Sequence, residues 1–195
     1  MFGCQQRRSI LKTNQSSPPF RPKQIRLTLL SELLHDLKSG LQQQDGSRTF
    51  ELLDPFWARL AVHIRAENLC LFPAILNAPP ELFRDGDGVP SVEEAKATIE
   101  SLQSDHNFFM DELARAVKTF REILANTQSP QHAEQLVTIR ARVDAVSLRL
   151  ESHNALEETQ VYKWPGLLLG ASELEDLRAA LRRELDNLPR RFAAQ

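Results

Sequence analysis

The chain has 195 residues, with 24 basic and 26 acidic side chains and a formal net charge of −2. A hydrophobic content of 42% alongside 26% charged residues excludes a disordered chain, and two cysteines are too few for a disulfide-stapled secreted protein. No apolar run reaches the roughly 18 residues that a membrane-spanning helix needs, and the first residues lack the apolar stretch of a secretory signal. We therefore expect a cytoplasmic protein without a membrane partner.

Residues 1–23 predict a flexible basic tail, because they contain the turn-forming sequence SSPP and no apolar periodicity. Every charged residue before Glu32 is basic. These basic side chains are scattered and no platform of aromatic residues for base stacking accompanies them, so we expect no nucleic-acid partner. Cys4 lies in this tail.

Five amphipathic segments predict an all-α fold, because apolar residues recur at helical spacing while alternating strand patterns and hairpin turns are nearly absent. Long helices with short connections indicate an up-down-up-down four-helix bundle with an accessory C-terminal helix, in a domain of residues 24–190. The predicted helices cover residues 24–41, 55–77, 92–125, 130–162 and 172–188.

Local signatures mark where four of these helices begin. A residue that accepts hydrogen bonds from the first free amides, or a proline at the first helical position, is typical of a helix start. Pro73 should kink or end the second helix, since proline has no amide hydrogen to donate. The signatures are Asp54-Pro55, the capping box Ser91/Glu94, Ser129-Pro130 and the capping box Ser172/Glu175.

Two of the five histidines stand four residues before a glutamate, His63 before Glu67 and His153 before Glu157. This spacing brings an imidazole and a carboxylate to the same face of a helix, one turn apart. A single such pair is common on protein surfaces. Two pairs on alternate helices of a bundle indicate a metal site.

The heights of the histidines along their helices strengthen this interpretation. At about 1.5 Å per residue, each predicted helical hairpin places its two histidines level to within about 6 Å. His35 and His106 are therefore expected in the same layer of the bundle as the two HxxxE motifs. His132 lies about 31 Å along its helix from His153 and is not expected in the site. Each half of the chain thus supplies a lone histidine and then an HxxxE motif, which suits a dinuclear centre.

Iron fits this donor set best among the common metals. Imidazole and carboxylate ligands suit iron or manganese, and zinc prefers four ligands where six are offered here. Glu32 and Glu100 are candidate hydrogen-bond acceptors for ligand histidines. Cys70 is expected to be a buried small side chain, with a redox role as the alternative.

The sequences HIRAENLCLFP and HNALEETQVYKWP resemble the signature of the hemerythrin-like (HHE cation-binding) family, and the resemblance extends over residues 25 to about 190. It implies a four-helix bundle that holds a non-haem centre of two irons per chain, bridged by carboxylates and an oxo or hydroxo group, with zinc or manganese less favoured. Carried over by position, the metal ligands are His35, His63, Glu67, His106, His153 and Glu157.

Two positions differ from the oxygen-carrying hemerythrins. Met110 stands where they have a further histidine, which should leave an open coordination position, and Glu157 with Glu158 stands where they use an aspartate. We prefer Glu157 because it mirrors Glu67. The ligand set is closer to the iron–sulfur-cluster repair branch, although the tail is too short for the N-terminal cysteine-containing domain usual there.

The resulting expectation is a di-iron protein that binds or senses oxygen, nitric oxide or peroxide as its small-molecule partner. Two alternatives stay open. One is a protein that donates iron for iron–sulfur cluster repair or detoxifies peroxide, and the other is a metal-free helical interaction module.

Overall fold

The structure is a computed structural model that describes residues 24–43, 45–84, 86, 88–126 and 130–192. The predicted basic tail, including Cys4, and the predicted cap residue Ser129 lie outside the described residues. Within those ranges the chain is all-α and has no strand, only one isolated antiparallel bridge between Gly86 and Val89. The all-α prediction is confirmed.

Seven α-helices follow one another in the described ranges. A π-helical segment, Glu67–Leu71, joins α2 to α3, and a 3₁₀ turn, Val161–Lys163, joins α5 to α6. The helices are α1 (Gln24–Gln42), α2 (Gly46–Ala66), α3 (Phe72–Leu76), α4 (Val92–Ala125), α5 (His132–Thr159), α6 (Trp164–Leu168) and α7 (Ala171–Asp186).

The start of α4 is as predicted, and the start of α2 is not. At α4, Ser91 Oγ accepts the backbone amide of Glu94 at 3.0 Å. Helix α2 begins at Gly46, where Asp45 Oδ1 accepts the amide of Arg48 at 2.9 Å, and Pro55 lies buried inside the helix. Proline at this position costs one backbone hydrogen bond, which the buried apolar face of the helix offsets.

The segment after α2 stays helical beyond Pro73. The amide of Phe72 donates to the carbonyl of Glu67, five residues earlier, which is the π pattern. In a regular α-helix, the ring of a proline clashes with the carbonyl four residues before it. The π turn upstream of Pro73 widens the helix at this point. In place of the expected kink or end at Pro73, the structure has a one-turn π-helix before it. Helix α3 then ends three residues after Pro73, at Leu76.

The last two predicted helices also have different ends. Helix α5 stops at Thr159, and α7 starts at Ala171. The amide of Gly170 donates to Glu173 Oε2 at 2.8 Å, so the cap of α7 is not the predicted Ser172/Glu175 box. Gly170 is the last residue in an extended conformation, so the helix begins directly after it, two residues before the predicted cap Ser172 would allow.

The four long helices form a closed ring of contacts, in which α1 packs against α2 and α5, and α4 packs against α2 and α5. Helix α7 packs against α2 from outside this ring. Arg65 fixes that contact, because its Nε donates to Glu184 at 2.9 Å and its guanidinium also reaches the carbonyl of Asn187 at 3.1 Å. No helix in the described part of the chain combines the length and apolar composition needed to cross a membrane.

Two buried hydrophobic clusters fill the interior. One contains Phe72 and Trp164 and extends to α7, and the other contains Phe56, Phe109 and Phe120 between the long helices. Helix α2 contributes to both clusters. A layer of buried polar side chains lies where the two clusters meet.

Candidate metal centre

Four buried side chains bring their ligand atoms together in this layer. Glu67, His106, His153 and Glu157 each offer one atom, and all four atoms lie within 4.8 Å of one another. Glu67 begins the π segment, His106 comes from α4, and His153 and Glu157 are one turn apart on α5. Three different segments therefore converge on one point in the interior.

His63 joins the cluster from α2. Its Nε2 lies 3.2 Å from Glu67 Oε1, and its side chain is 13% exposed, whereas the other histidines of the cluster are fully buried. His106 Nε2 lies 3.4 Å from Glu67 Oε2, and His153 Nε2 lies 3.1 Å from Glu157 Oε1. Glu67 thus faces an imidazole with each of its two oxygens.

Several of these buried atoms have no hydrogen-bond partner within the described residues, despite the short distances. Leaving a buried polar atom unpaired costs about 1–3 kcal/mol, so folded proteins rarely keep several such atoms together. Imidazole nitrogens and carboxylate oxygens are also the donors that first-row transition metals bind. The residues present therefore fit a metal centre. The atoms are His63 Nε2, His106 Nδ1 and Nε2, Glu67 Oε2 and Glu157 Oε1.

The electrostatics of the cluster distinguish its two glutamates. Burial favours a neutral Glu67, but the charge of His63 and the close approach of the His106 and His63 imidazoles outweigh burial and hold the pKa of Glu67 well below its usual value. Burial also opposes a charge on His63, yet the adjacent Glu67 raises the pKa of His63 from 6.5 to about 9. Burial, followed by the charge of Glu67, raises the pKa of Glu157 well above its usual value.

Tyr162 is a residue of the site that the sequence analysis missed. Its hydroxyl lies 2.6 Å from Glu67 Oε1 and 2.8 Å from Glu157 Oε2, and the side chain is buried. Burial and the two carboxylates raise the pKa of Tyr162 well above its usual value. Tyr162 is the only tyrosine of the chain and follows Glu157 by five residues. This proximity to the HxxxE motif was the sequence feature that could have indicated its role.

The hydrogen-bond acceptor for a ligand histidine is also a different residue from those expected. Asp105 Oδ2 lies 3.2 Å from His153 Nδ1, and Arg149 bonds to the other oxygen of Asp105. Glu32 and Glu100 are exposed, and His106 Nδ1 has no partner among the residues that the structure describes, which include Glu100. Asp105 directly precedes His106 in the sequence. Its contact with His153 depends on how α4 packs against α5, which the sequence does not show.

His35 is placed apart from the buried cluster. It is exposed on α1 and lines, together with His63, a groove of about 560 Å³ between α1, α2 and α5. Glu158 lines the same groove, whereas Glu157 points into the cluster. The structure therefore brings five of the six predicted ligands together, leaves His35 exposed on the wall of the groove, and places Glu157 rather than Glu158 in the interior.

The remaining candidate residues lie outside the centre. His132 is exposed and its Nε2 contacts the carbonyl of Asn126 at 2.5 Å. Met110 is half-buried against the cluster that contains Phe109. Cys70 is half-buried against the other hydrophobic cluster, and burial followed by the charge of Glu184 raises the pKa of its thiol, which favours the packing role over the redox role.

The sequence also matches a known protein family over most of its length. The family model described as the Hemerythrin HHE cation binding domain matches residues 25–165, a span that includes His35, Glu157 and every residue of the cluster. No curated protein and no solved structure matches the chain closely enough to count as a relative.

Proposed function

We propose a function from one premise, which is that the chain belongs to the Hemerythrin HHE cation-binding family. We infer that this protein holds two iron ions per chain and uses them to bind or sense oxygen, nitric oxide or peroxide. The observation that carries the proposal is the group of buried, mutually facing imidazole nitrogens and carboxylate oxygens that have no hydrogen-bond partner in the described part of the chain.

The proposed ligands are the six residues of the two pseudo-equivalent halves. His63, Glu67, His106, His153 and Glu157 supply the buried donors, and His35 completes the set from the groove. This assignment presupposes an up-down-up-down bundle of α1, α2, α4 and α5 within residues 24–190. The closed ring of contacts among these helices supports that arrangement.

Bound iron would supply a redox-active Lewis acid to which a small molecule can bind. The chain's own residues control which molecules reach the centre. Phe72 stacks on His106 with ring centroids 5.7 Å apart, and Phe109 meets the ring of His153 edge-on at 5.3 Å. These rings exclude water from the buried side, so that the groove beside His63 is the route for a small ligand.

A second function, iron donation for cluster repair or peroxide detoxification, draws support from the same groove. His35 is exposed and His63 is the least buried histidine of the cluster, so an ion held near them has a short path to solvent. Donation needs release of iron, whereas a sensor retains it. The rate at which an external chelator removes iron separates the two functions.

The first test is to load the purified protein with ferrous iron without oxygen and to measure iron content and the visible spectrum. We expect about two irons per chain and new visible absorption on exposure to air. His153→Ala should lose this uptake, while His132→Ala, which removes a histidine outside the centre, should retain it. Failure of the wild-type chain to take up iron, or uptake of one zinc ion instead, would exclude the di-iron proposal.

The second test identifies the ligand. The reduced, iron-loaded protein is exposed separately to oxygen, nitric oxide and peroxide, and its spectrum is followed. A response to at least one of them is expected. If none of the three changes the spectrum, the centre does not bind or sense these molecules.

A further inference from the structure

We propose that Tyr162 is the positioning residue of the metal centre, whose hydroxyl holds one oxygen of Glu67 and one of Glu157 so that the other oxygen of each faces the metal. The proposal rests on the proposed metal-binding function and adds a residue outside the expected ligand set. It follows from the way hydrogen bonds divide the four carboxylate oxygens.

Tyr162 contacts Glu67 Oε1 and Glu157 Oε2, and Glu67 Oε1 also lies 3.2 Å from His63 Nε2. The opposite oxygens, Glu67 Oε2 and Glu157 Oε1, have no hydrogen-bond partner among the described residues. Those two face ligand nitrogens, of His106 at 3.4 Å and His153 at 3.1 Å. One hydroxyl therefore fixes the rotation of two carboxylates, and each carboxylate presents its free oxygen to the histidine cluster.

The hydroxyl also links the two halves of the site. Glu67 begins the π segment after α2, and Glu157 lies on α5, so the two glutamates are 90 residues apart in sequence. A phenol has one proton and donates it to one carboxylate at a time. The shared contact keeps both carboxylates next to the buried histidines, where either can bind an ion.

The equivalent position in the other half shows that packing does not require the hydroxyl. Phe72 follows Glu67 by five residues, as Tyr162 follows Glu157. Phe72 is also buried, and it stacks on a ligand histidine without any polar group. Tyr162→Phe should therefore keep the packing in the same hydrophobic cluster and remove only the contacts of the hydroxyl with the two glutamates.

The test compares metal binding by the full chain with that of Tyr162→Phe. Anaerobic titration with ferrous iron and with cobalt(II) gives the affinity, and the ligand-field bands of cobalt report its coordination. Partners that orient metal ligands typically change affinity 10–100-fold, so we expect a loss of about that size and a changed cobalt spectrum in Tyr162→Phe. A residue that only packs would leave the cobalt spectrum unaltered.

A matched control removes another buried hydroxyl far from the centre. Thr49 is fully buried, and its hydroxyl bonds to the carbonyl of Asp45 at 2.6 Å near the start of α2. Thr49→Val should lower the melting temperature without changing the metal affinity or the cobalt spectrum. A parallel loss of affinity in Thr49→Val would attribute the effect of Tyr162→Phe to stability and overturn the proposal.

Two further outcomes contradict the proposal in distinguishable ways. If wild type and Tyr162→Phe bind metal equally and give the same cobalt spectrum, the hydroxyl does not position the glutamates. If iron-loaded wild type shows a phenolate-to-iron absorption band that Tyr162→Phe loses, Tyr162 is itself a ligand. If the wild-type chain binds no metal at all, the failure lies with the proposed function.

Discussion

His63 and Glu67 form a buried pair whose atoms are also candidate ligand atoms. Glu67 raises the pKa of His63 to about 9, so that His63 carries a proton at neutral pH in the metal-free protein. An imidazole nitrogen must lose its proton before it coordinates a metal. Metal and proton therefore compete for His63 below pH 9.

Proton release on metal binding is the first prediction. At pH 7 we expect at least one proton released per chain, and the release from His63 should disappear as the pH rises above about 9. The apparent metal affinity should increase with pH over the same range. Calorimetric titrations in two buffers with different ionisation enthalpies measure the release. An enthalpy that does not depend on the buffer at pH 7 would contradict the prediction.

Asp105 gives the second prediction at this scale. Its carboxylate lies 3.2 Å from His153 Nδ1, which directs Nε2 of the same ring to Glu157 and the cluster. Asp105→Ala should weaken metal binding about 10–100-fold, as is typical for partners of ligand histidines. Equilibrium titration with cobalt(II) or ferrous iron measures this.

Glu112 supplies the control for Asp105. Both carboxylates lie on α4, both are 15% exposed, and both bond to an arginine of α5. Among the described residues, Glu112 contacts Arg142 and Arg115 and no histidine. Glu112→Ala should therefore keep the wild-type affinity, and an equal loss in the two variants would refute a specific role for Asp105.

At the level of elements, the start of α2 shows what local sequence decides and what packing decides. Asp54-Pro55 is a stronger local signature than Asp45-Gly46, yet the helix begins at Gly46. Thr49 packs closely against Gly40 of α1, where an added Cβ would come within 3.2 Å of Thr49 Oγ1. This contact between α1 and α2 lies in the roughly two helical turns that precede Asp54, and the local sequence pattern around Asp54-Pro55 does not indicate it.

The third prediction concerns the cap of α2. Asp45→Ala removes the hydrogen bond to the amide of Arg48 and should lower the free energy of unfolding by about 1 kcal/mol. Asp45→Asn should retain most of the stability, because asparagine caps helices about as well as aspartate. Urea denaturation of the metal-free protein measures both values. Equal stability of wild type and Asp45→Ala would show that the cap contributes nothing.

Some residues of the candidate site could likewise be predicted from local sequence, and others depend on contacts between distant segments of the chain. The HxxxE spacing depends only on helix geometry, so His63, Glu67, His153 and Glu157 could be found from sequence. The contacts of Tyr162 and Asp105 depend on which helices face each other and at what height, which sequence spacing does not determine. The π turn at Glu67 likewise involves the i→i+5 bond from Phe72, which no residue pattern predicted.

At the scale of the whole molecule, the polar layer interrupts the hydrophobic interior. The cluster of Phe72 and Trp164 lies on one side and that of Phe109 and Phe120 on the other, and His106 and His153 contact both through Phe72 and Phe109. Without metal, the nitrogens and oxygens of this layer that lack a partner among the described residues should reduce the stability of both clusters at once. Metal binding should therefore stabilise the bundle as a whole.

The fourth prediction follows from this coupling. A ligand that binds only the folded state at 100 times its dissociation constant adds about 2.7 kcal/mol to the free energy of unfolding. For a chain of this size that corresponds to a rise in melting temperature of roughly 5–10 °C. Calorimetric melting with and without ferrous iron under anaerobic conditions measures the rise. His153→Ala should show no iron-dependent change, and His132→Ala should behave like wild type. An iron-loaded wild-type protein that melts at the temperature of the metal-free form would mean that the ion binds outside the interior, because an ion held between the two clusters must be lost when they separate.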